Sequence, residues 1–266
     1  MHKAIRTGKA RQAAGVLLIA VLLWVVVYAP TPLVIYEPGQ TFDTKTLVQL
    51  GTEEAQTTAP GSSSNEGEFL ITTVKLTDAK YWQVIEAAWK KDFAVYSKDS
   101  VMKGMSEKAY LEKAKAQMTS SQNVALEAAY RYAGIAYKVS ADGQHIQSDK
   151  DSEQITIKTS EIGGPSAGLM FALQSTQLLL DRNLTGGLRI AGTGTINPTG
   201  KVGAIGGITF KVAAADKEGA QLFLSPADNY AEAAAKATEL RSEMKIIPVT
   251  SLESAISAIE LASASE

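Results

Sequence analysis

The feature that most constrains the fold is an apolar run near the amino terminus. The chain carries no charge from Gln12 to Tyr36, and the apolar centre of this run covers the 17 residues from Ala13 to Ala29. That length is at the lower limit for a membrane-spanning helix and exceeds the apolar region of most signal peptides. Leu33 to Ile35 can extend it. We therefore predict a retained anchor, with cleavage after Ala29 as the alternative.

The charges that flank this run indicate its orientation. Four basic residues precede it, and the acidic Glu37 and Asp43 follow it; the basic residues are Lys3, Arg6, Lys9 and Arg11. Basic residues remain on the cytoplasmic side of a membrane helix. We therefore expect a single-pass cell-membrane protein with a cytoplasmic amino terminus and with everything after Tyr36 outside the cytoplasm.

Composition excludes several classes of function. A net charge of -2 and a pI near 5.8 provide no basic surface for nucleic acid. The absence of cysteine excludes disulfides, zinc–thiolate sites and cysteine nucleophiles, although it fits a reducing compartment and an exported protein equally well. No nucleic-acid partner and no metal is expected.

Residues 37–154 are predicted to form a mixed strand and helical region between the anchor and a carboxy-terminal domain. Its elements are a flexible loop, a strand, a helical region ended by Gly134 and a polar surface loop, at Gly51–Gly67, Phe69–Leu76, Asp78–Ala133 and Ser140–Gln154.

From Ile155 onward, strand and helix patterns alternate, which predicts a layered α/β or α+β domain over residues 155–266, with residues 1–36 as the tail and anchor. We assign the fold class α+β. The predicted strands are Ile155–Lys158, Leu188–Ala191, Gln221–Leu224 and Lys245–Val249. The predicted helices are Ser166–Leu180, Ile208–Glu218, Ala227–Leu240 and Ser251–Ala262, and a hairpin turns at Asn197–Gly200.

A candidate nucleophile lies in the segment Gly163–Met170, where Ser166 stands between small residues at the start of an apolar helix. Free backbone N–H groups and the positive end of the helix dipole can stabilise an oxyanion there, so the backbone of Gly164, Pro165 and Ser166 is the predicted oxyanion site. An N-cap role for the serine is the structural alternative.

Three other motif interpretations fail. Gly164–Gly168 fits the nucleophile elbow of α/β-hydrolases, but that fold needs a histidine after the serine, and His2 and His145 both precede it. Ser242–Lys245 fits the S-x-x-K pattern without its companion motifs. Gly194–Lys201 resembles a phosphate loop but has the wrong spacing and lacks the final hydroxyl residue.

Without a usable histidine, the base for Ser166 must be a carboxylate or a lysine. Lys211 is predicted in the first turn of a helix that follows Gly206 and Gly207, among apolar and small residues. The positive helix end and apolar surroundings both favour its neutral amine. An ordinary solvated lysine is the alternative. Lys201 lies in a turn, where we expect it to stay charged.

These residues resemble the proteolytic domain of the Lon proteases. The resemblance rests on Gly164–Gly168, on Thr193–Gly194 with its hairpin, and on Ile205–Lys211, and it covers about Ile155 to Ala262. It implies that Ser166 is the nucleophile, that Lys211 is the general base and that Thr193 orients the lysine. A strand threonine bonded locally is the alternative for Thr193.

The amino-terminal half is similar to the membrane-anchored bacterial branch of Lon-like proteases that carry a PDZ domain and lack the Lon ATPase module. The similarity includes the anchor and the segment Met118–Gln122. Two departures stand out. Residues 140–154 are too few for a PDZ domain, and Gly163 stands where Lon itself commonly has an acidic residue.

The resemblance implies a serine endopeptidase that uses a Ser-Lys dyad without ATP, metal or other cofactor. Its expected partners are a peptide or protein substrate, the membrane and, in the manner of Lon domains, further copies in a ring. A catalytically inactive, membrane-anchored peptide-binding module is the alternative, although the presence of both Ser166 and Lys211 favours the protease.

Overall fold

The computed structural model describes residues 2–51, 67–140, 145–159 and 162–264. Most of the predicted loop at Gly51–Gly67 lies outside them. The chain forms two compact units, one from Met1–Glu37 with Lys75–Met105 and the other from Pro38–Val74 with Ser106–Glu266. The predicted division after residues 36 and 154 stays a prediction.

Helices and strands alternate through much of the described chain. The α-helices are α1 His2–Tyr28, α2 Thr44–Leu47, α3 Tyr81–Ala87, α4 Lys98–Met102, α5 Glu107–Ala133, α6 Gly168–Leu179, α7 Ile208–Lys217, α8 Tyr230–Leu240 and α9 Leu252–Ser263. The strands are β1 Pro30–Asp43, β2 Val48–Leu50, β3 Glu68–Lys80, β4 Ala94–Ser97, β5 Tyr137–Val139, β6 Ile146–Ser148, β7 Ile155–Ile157, β8 Arg189–Gly192, β9 Thr195–Ile196, β10 Val202–Gly203, β11 Leu222–Pro226 and β12 Lys245–Val249.

The apolar run forms the second half of α1. Among the described residues, this is the one helix long and apolar enough to cross a membrane, judged by length and composition over the 18 residues Arg11–Tyr28. The predicted extension through Leu33–Ile35 is wrong. Residues Leu33–Tyr36 belong to β1 and pair antiparallel with β4, because β-branched Val34 and Ile35 and aromatic Tyr36 suit a strand.

The first unit has a small apolar core of its own. Ile35, Ala79 and Ala87 are buried in it, and half-buried neighbours such as Val84 pack against them. The predicted continuous helical region from Asp78 to Ala133 is wrong at this point. β4 separates α3 from the later helices because it completes a pairing with β1.

In the second unit, a mixed sheet has the strand order β12-β11-β8-β3-β1. β11 pairs in parallel with both β12 and β8, and β8 pairs in parallel with β3. Alternate residues of β3 enter different apolar clusters: Phe69 and Ile71 join one, and Leu70 joins the other. Since successive strand residues point to opposite faces, the two clusters lie on the two faces of the sheet.

Helices cover both faces of this sheet, which confirms the predicted layered α+β domain. The cluster of Phe69 includes buried apolar residues of α6 and α9, and the cluster of Leu70 includes buried apolar residues of α7 and α8. Helix α5 packs against α6. The nine residues from Gly168 to Thr176 are all buried, so α6 forms the centre of this layer.

Local signals explain where several elements begin and end. α5 begins after Ser106, whose hydroxyl accepts the N–H of Ala109, and ends at Gly134, whose left-handed φ of 70° suits glycine. α9 begins with a capping box between Ser251 and Ser254. The predicted hairpin at Asn197–Gly200 is confirmed by the pairing of β9 with β10.

The predicted polar loop at Ser140–Gln154 is partly wrong. Ile146–Ser148 forms β6, which pairs antiparallel with β5. Ile146 is buried in the main core cluster, so a single apolar residue fixes this short strand to the unit. Residues 141–144 of this segment lie outside the described chain.

Candidate active site

Three segments of the second unit bring the predicted site residues together. Ser166 lies in the turn just before α6, Thr193 follows the last residue of β8, and Lys211 is in the first turn of α7. The carboxyl end of β8 is therefore the meeting point of a helix from each face of the sheet. Ligand sites of layered α/β domains are usually found at such strand ends.

Gly207 is the residue from which α7, the helix that carries Lys211, begins. It caps α7 with a left-handed φ of 69°, a conformation that side chains disfavour. α7 starts at the next residue, Ile208, and the amine of Lys211, one turn later, reaches the hydroxyl of Thr193.

The lysine amine lies within hydrogen-bond distance of two hydroxyl groups. Lys211 Nζ is 2.7 Å from Ser166 Oγ and 2.9 Å from Thr193 Oγ1. The hydroxyl of Thr193 donates its own proton to the carbonyl oxygen of Ser166 at 3.0 Å. Thr193 can therefore only accept from the amine. The alternative that the Thr193 hydroxyl bonds only within its own strand is therefore wrong, because its partners are Ser166 and Lys211.

A neutral amine has two N–H groups and one lone pair, and Thr193 occupies one N–H. Because the groups on nitrogen are tetrahedral, fixing that N–H restricts the direction of the lone pair. The 2.7 Å approach of Ser166 Oγ is short enough for a hydroxyl donating to nitrogen. The geometry thus allows Ser166 to give its proton to Lys211.

Burial changes the acidity of this lysine. Lys211 is only 4% exposed, and removal from water lowers the pKa of its ammonium to about 7. Among the described residues, no carboxylate forms an ion pair with it. Lys236, which is also buried, differs because its Nζ lies 3.3 Å from the carboxylate of Glu239. The solvated-lysine alternative does not describe Lys211.

The backbone around Ser166 is held by the β8 end. The N–H of Gly194 donates to the carbonyl of Ser166 at 2.8 Å, and the N–H of Leu169 donates to the carbonyl of Gly194 at 3.1 Å. These two bonds run in opposite directions between the same two segments. They hold the serine at a fixed distance from Thr193 and hence from Lys211.

Helix α5 holds the other side of the same turn. The hydroxyl of Ser121 donates to the carbonyl of Pro165 at 3.0 Å, and the carbonyl of Ala114 accepts the N–H of Gly164 at 2.9 Å. A side chain at Gly168 would press on Ser121 and Ile196, which shows how closely α5 and β9 enclose this turn. Ser121 is thus a neighbour of the site that the sequence analysis did not identify as such.

Only part of the predicted oxyanion site has a free donor. The N–H of Gly164 is committed to Ala114, and Pro165 has no N–H. Within the described residues, the N–H of Ser166 has no hydrogen-bond acceptor. Of the three predicted oxyanion donors, the N–H of Ser166 therefore remains. α6 itself begins at Gly168, two residues later than predicted.

Other candidates take no part in this arrangement. Lys201 is exposed beside the β9–β10 turn, and its backbone forms a bridge with Ser251. His145 is exposed at the connection between β5 and β6. Across the described parts of the chain, no cluster of three acidic or histidine side chains could hold a metal ion.

Comparison with known proteins identifies the family of the chain. No curated protein matches the chain closely. A comparison with protein families matches residues 122–261 to "Lon protease (S16) C-terminal proteolytic domain". The matched range is more than half of the 266 residues and includes Ser166, Thr193 and Lys211. The chain therefore belongs to the family of Lon protease (S16) C-terminal proteolytic domains, which makes it a serine protease of the Lon type.

Proposed function

We propose that the chain is an ATP-independent endopeptidase that cleaves peptides or proteins outside the cytoplasm with a Ser166–Lys211 dyad while α1 anchors it in the membrane. The observation that carries the proposal is the 2.7 Å distance between Lys211 Nζ and Ser166 Oγ. It occurs where burial lowers the pKa of Lys211 to about 7. A base near neutral pKa is both deprotonated and able to accept a proton at physiological pH.

The reaction begins when the amine of Lys211 takes the proton of Ser166 Oγ. The oxygen then attacks the carbonyl carbon of a peptide bond, and the N–H of Ser166 donates to the oxyanion that forms. The ammonium returns its proton to the leaving amine as the C–N bond breaks, which leaves an acyl-enzyme. Water, deprotonated by the same lysine, releases the second product and restores the serine hydroxyl.

Covalent labelling tests the dyad. A serine-reactive probe should modify Ser166, identified by mass spectrometry of the peptide that contains it, and Lys211→Ala should lose the labelling. Lys201→Ala is the matched control because that lysine is exposed beside a turn. Equal labelling of wild type and Lys211→Ala would refute lysine activation. A folded wild type that binds peptides without labelling or cleavage would favour the binding-module alternative.

We expect independence of nucleotides and metals, because the sequence has no phosphate loop and no clusters of histidine or cysteine. Peptide cleavage by the purified protein should be the same with and without ATP and magnesium, and in the presence of a chelator. Stimulation by ATP, or loss of activity with the chelator, would contradict this part of the proposal.

The topology can be tested by cysteine labelling, because the natural chain has no cysteine. Glu253→Cys places a thiol at an exposed position of α9, and Thr7→Cys places one before the apolar run. A membrane-impermeant maleimide should label Glu253→Cys in intact cells and Thr7→Cys only after lysis. The opposite pattern would invert the proposed orientation.

A further inference from the structure

Helix α3 carries an apolar surface that the first unit leaves uncovered. Ile85 is 60% exposed, Tyr81 and Trp82 are also exposed, and Trp89, in the turn two residues after the last residue of α3, is 85% exposed. We call these four side chains the aromatic ridge. The other side of α3 is occupied, because Ala87 is buried in the small core and Val84 packs against that core. A short helix that is apolar on both sides needs a second apolar environment.

The aromatic ridge begins beside the end of α1, within the same unit. The hydroxyl of Thr31, three residues after α1, donates to the carbonyl of Ala79 at 2.6 Å. Lys80 Nζ lies 5.7 Å from the centre of the Tyr28 ring, at the last residue of α1. The start of α3 is therefore fixed next to the point at which the apolar helix ends.

The chemistry of the ridge suits the boundary between lipid and water. Tryptophan and tyrosine are enriched at that depth because they are apolar bodies with one polar group. Exposed Lys80 and Lys91 stand at the two ends of the segment. The acidic Glu86 is neutralised by Lys90, whose Nζ lies 2.7 Å from its carboxylate. The surface offered is apolar with a basic border, as in segments that bind anionic lipid surfaces.

A second copy of the chain fits this surface less well. In a two-fold contact, the same patch faces itself, so the lysines that border one ridge would approach those of the other. An anionic lipid surface has no such cost, because it attracts lysine.

We infer that the aromatic ridge of α3 lies in the headgroup region of the membrane beside α1, as a second contact between the first unit and the lipid. The inference rests on the proposed anchoring of the chain by α1. If α1 spans the bilayer, the contacts of Thr31 with Ala79 and of Lys80 with Tyr28 put α3 at the level where the span leaves the hydrocarbon.

The tryptophan content of the chain allows a direct test, because its three tryptophans are Trp24, Trp82 and Trp89. In Trp24→Phe, both remaining fluorophores belong to the ridge. In the double variant Trp82→Phe and Trp89→Phe, the remaining fluorophore reports on α1. Each full-length variant is reconstituted in vesicles of phosphatidylcholine and phosphatidylglycerol, with or without lipids brominated near the headgroup end of the acyl chains. Unchanged peptide cleavage shows that each variant is folded.

We expect brominated lipid to lower the emission of Trp24→Phe about two-fold, and iodide in the water to quench it weakly, because side chains at the interface are within reach of the upper acyl chains. The double variant should also be quenched by brominated lipid. No quenching of the double variant would refute the anchoring itself.

Two results would overturn the inference while leaving the anchoring intact. In both, the double variant is quenched by brominated lipid and Trp24→Phe is not. If iodide then quenches Trp24→Phe as strongly as free tryptophan, the ridge faces water. If iodide also fails to quench it, protein covers the ridge, and a second copy or a protein partner replaces lipid as its occupant.

Discussion

The site and the aromatic ridge depart from the usual distribution of polar and apolar side chains in opposite directions. The second unit buries a lysine without an acidic partner among the described residues, whereas the first unit exposes tryptophan and isoleucine. Burying an ionisable amine costs stability at neutral pH, whether the amine stays charged or gives up its proton on folding. Exposing apolar surface forgoes the stability that burial provides. In the second unit, the residue that is out of place for stability is the proposed base, and in the first unit such residues form the inferred membrane contact.

The largest effect should come from removing the amine. Lys211→Met keeps an unbranched side chain of similar length in the apolar site but has no base, so kcat/KM for a fluorogenic peptide should fall by about 10³-fold or more. Lys201→Met should leave kcat/KM within about two-fold, as expected for an exposed residue outside the site. Ser166→Ala combined with Lys211→Met should be no worse than either change alone. A folded Lys211→Met variant with near wild-type turnover would reject Lys211 as the base and favour a carboxylate.

The same substitution should stabilise the folded chain. Because the pKa of Lys211 is lowered from 10.5 to about 7 on folding, the unfolded chain binds more protons between these two values, and the free energy of unfolding rises with pH across that window. Lys211→Met should remove this rise and gain on the order of a few kcal/mol at pH 7.

Urea unfolding at several pH values measures this gain. Lys236→Met is the matched control, since its lysine is buried but ion-paired with Glu239, and we expect a smaller change there. A Lys211→Met variant that is less stable than wild type at pH 7 would show that packing around the amine outweighs its desolvation.

Activity should depend on pH with the sign of a base. Protonation of Lys211 removes the proton acceptor, so kcat/KM should fall about ten-fold for each unit below pH 7 and level off above it. A profile measured with an uncharged peptide substrate tests this. If the rate keeps rising up to pH 10, the amine is not desolvated in solution. A rate that is flat between pH 5 and 8 would argue against a lysine base.

The smallest effect concerns Ser121, a positioning residue that acts through the turn of Ser166. Ser121→Ala removes its hydrogen bond to the carbonyl of Pro165. This loss should cost about 1 kcal/mol, or about five-fold in kcat, with KM unchanged. Ser121→Thr should restore most of kcat, because it keeps the hydroxyl. The exposed neighbour Ser120 provides the control variant Ser120→Ala, for which no change is expected. An equal loss in kcat and stability without rescue by threonine would make the role merely structural.

Patterns carried in short segments were predictable from the sequence. Gly206 and Gly207 before an apolar run indicated the start of α7 and placed Lys211 in its first turn, as found. The layered domain was also predictable, because strands and helices of ordinary length alternate there. The exposed position of Lys201 followed from its turn.

Contacts between distant segments were harder to predict from the sequence. Gln174 and Thr44 are 130 residues apart, yet the hydroxyl of Thr44 donates to the amide oxygen of Gln174 at 2.8 Å. This bond satisfies the buried amide of Gln174, and its distant partner cannot be identified from the helical spacing of α6. The bond from Ser121 to Pro165 spans 44 residues, so the sequence pattern of α5 does not reveal it.

The break between α3 and β4 was missed for a related reason. The apolar spacing of Trp82, Ile85 and Trp89 is helical, and it correctly predicts α3. Helical spacing also predicts helix at Ala94–Ser97, but this segment forms a strand because it pairs with β1. Tertiary pairing overrides local periodicity in such short segments.

The dependence of the Lys211 pKa on burial also links activity to the completion of folding. In an unfolded chain, this lysine is in water, where its ordinary pKa of 10.5 leaves roughly one amine in 3,000 neutral at pH 7. Ser166, Thr193 and Lys211 come from three separate segments, so the amine is desolvated only after both faces of the sheet are covered. Under the proposed mechanism and topology, a chain emerging across a membrane is therefore inert toward itself and its neighbours until it has folded, because the proposed nucleophile acquires its base only in the finished fold.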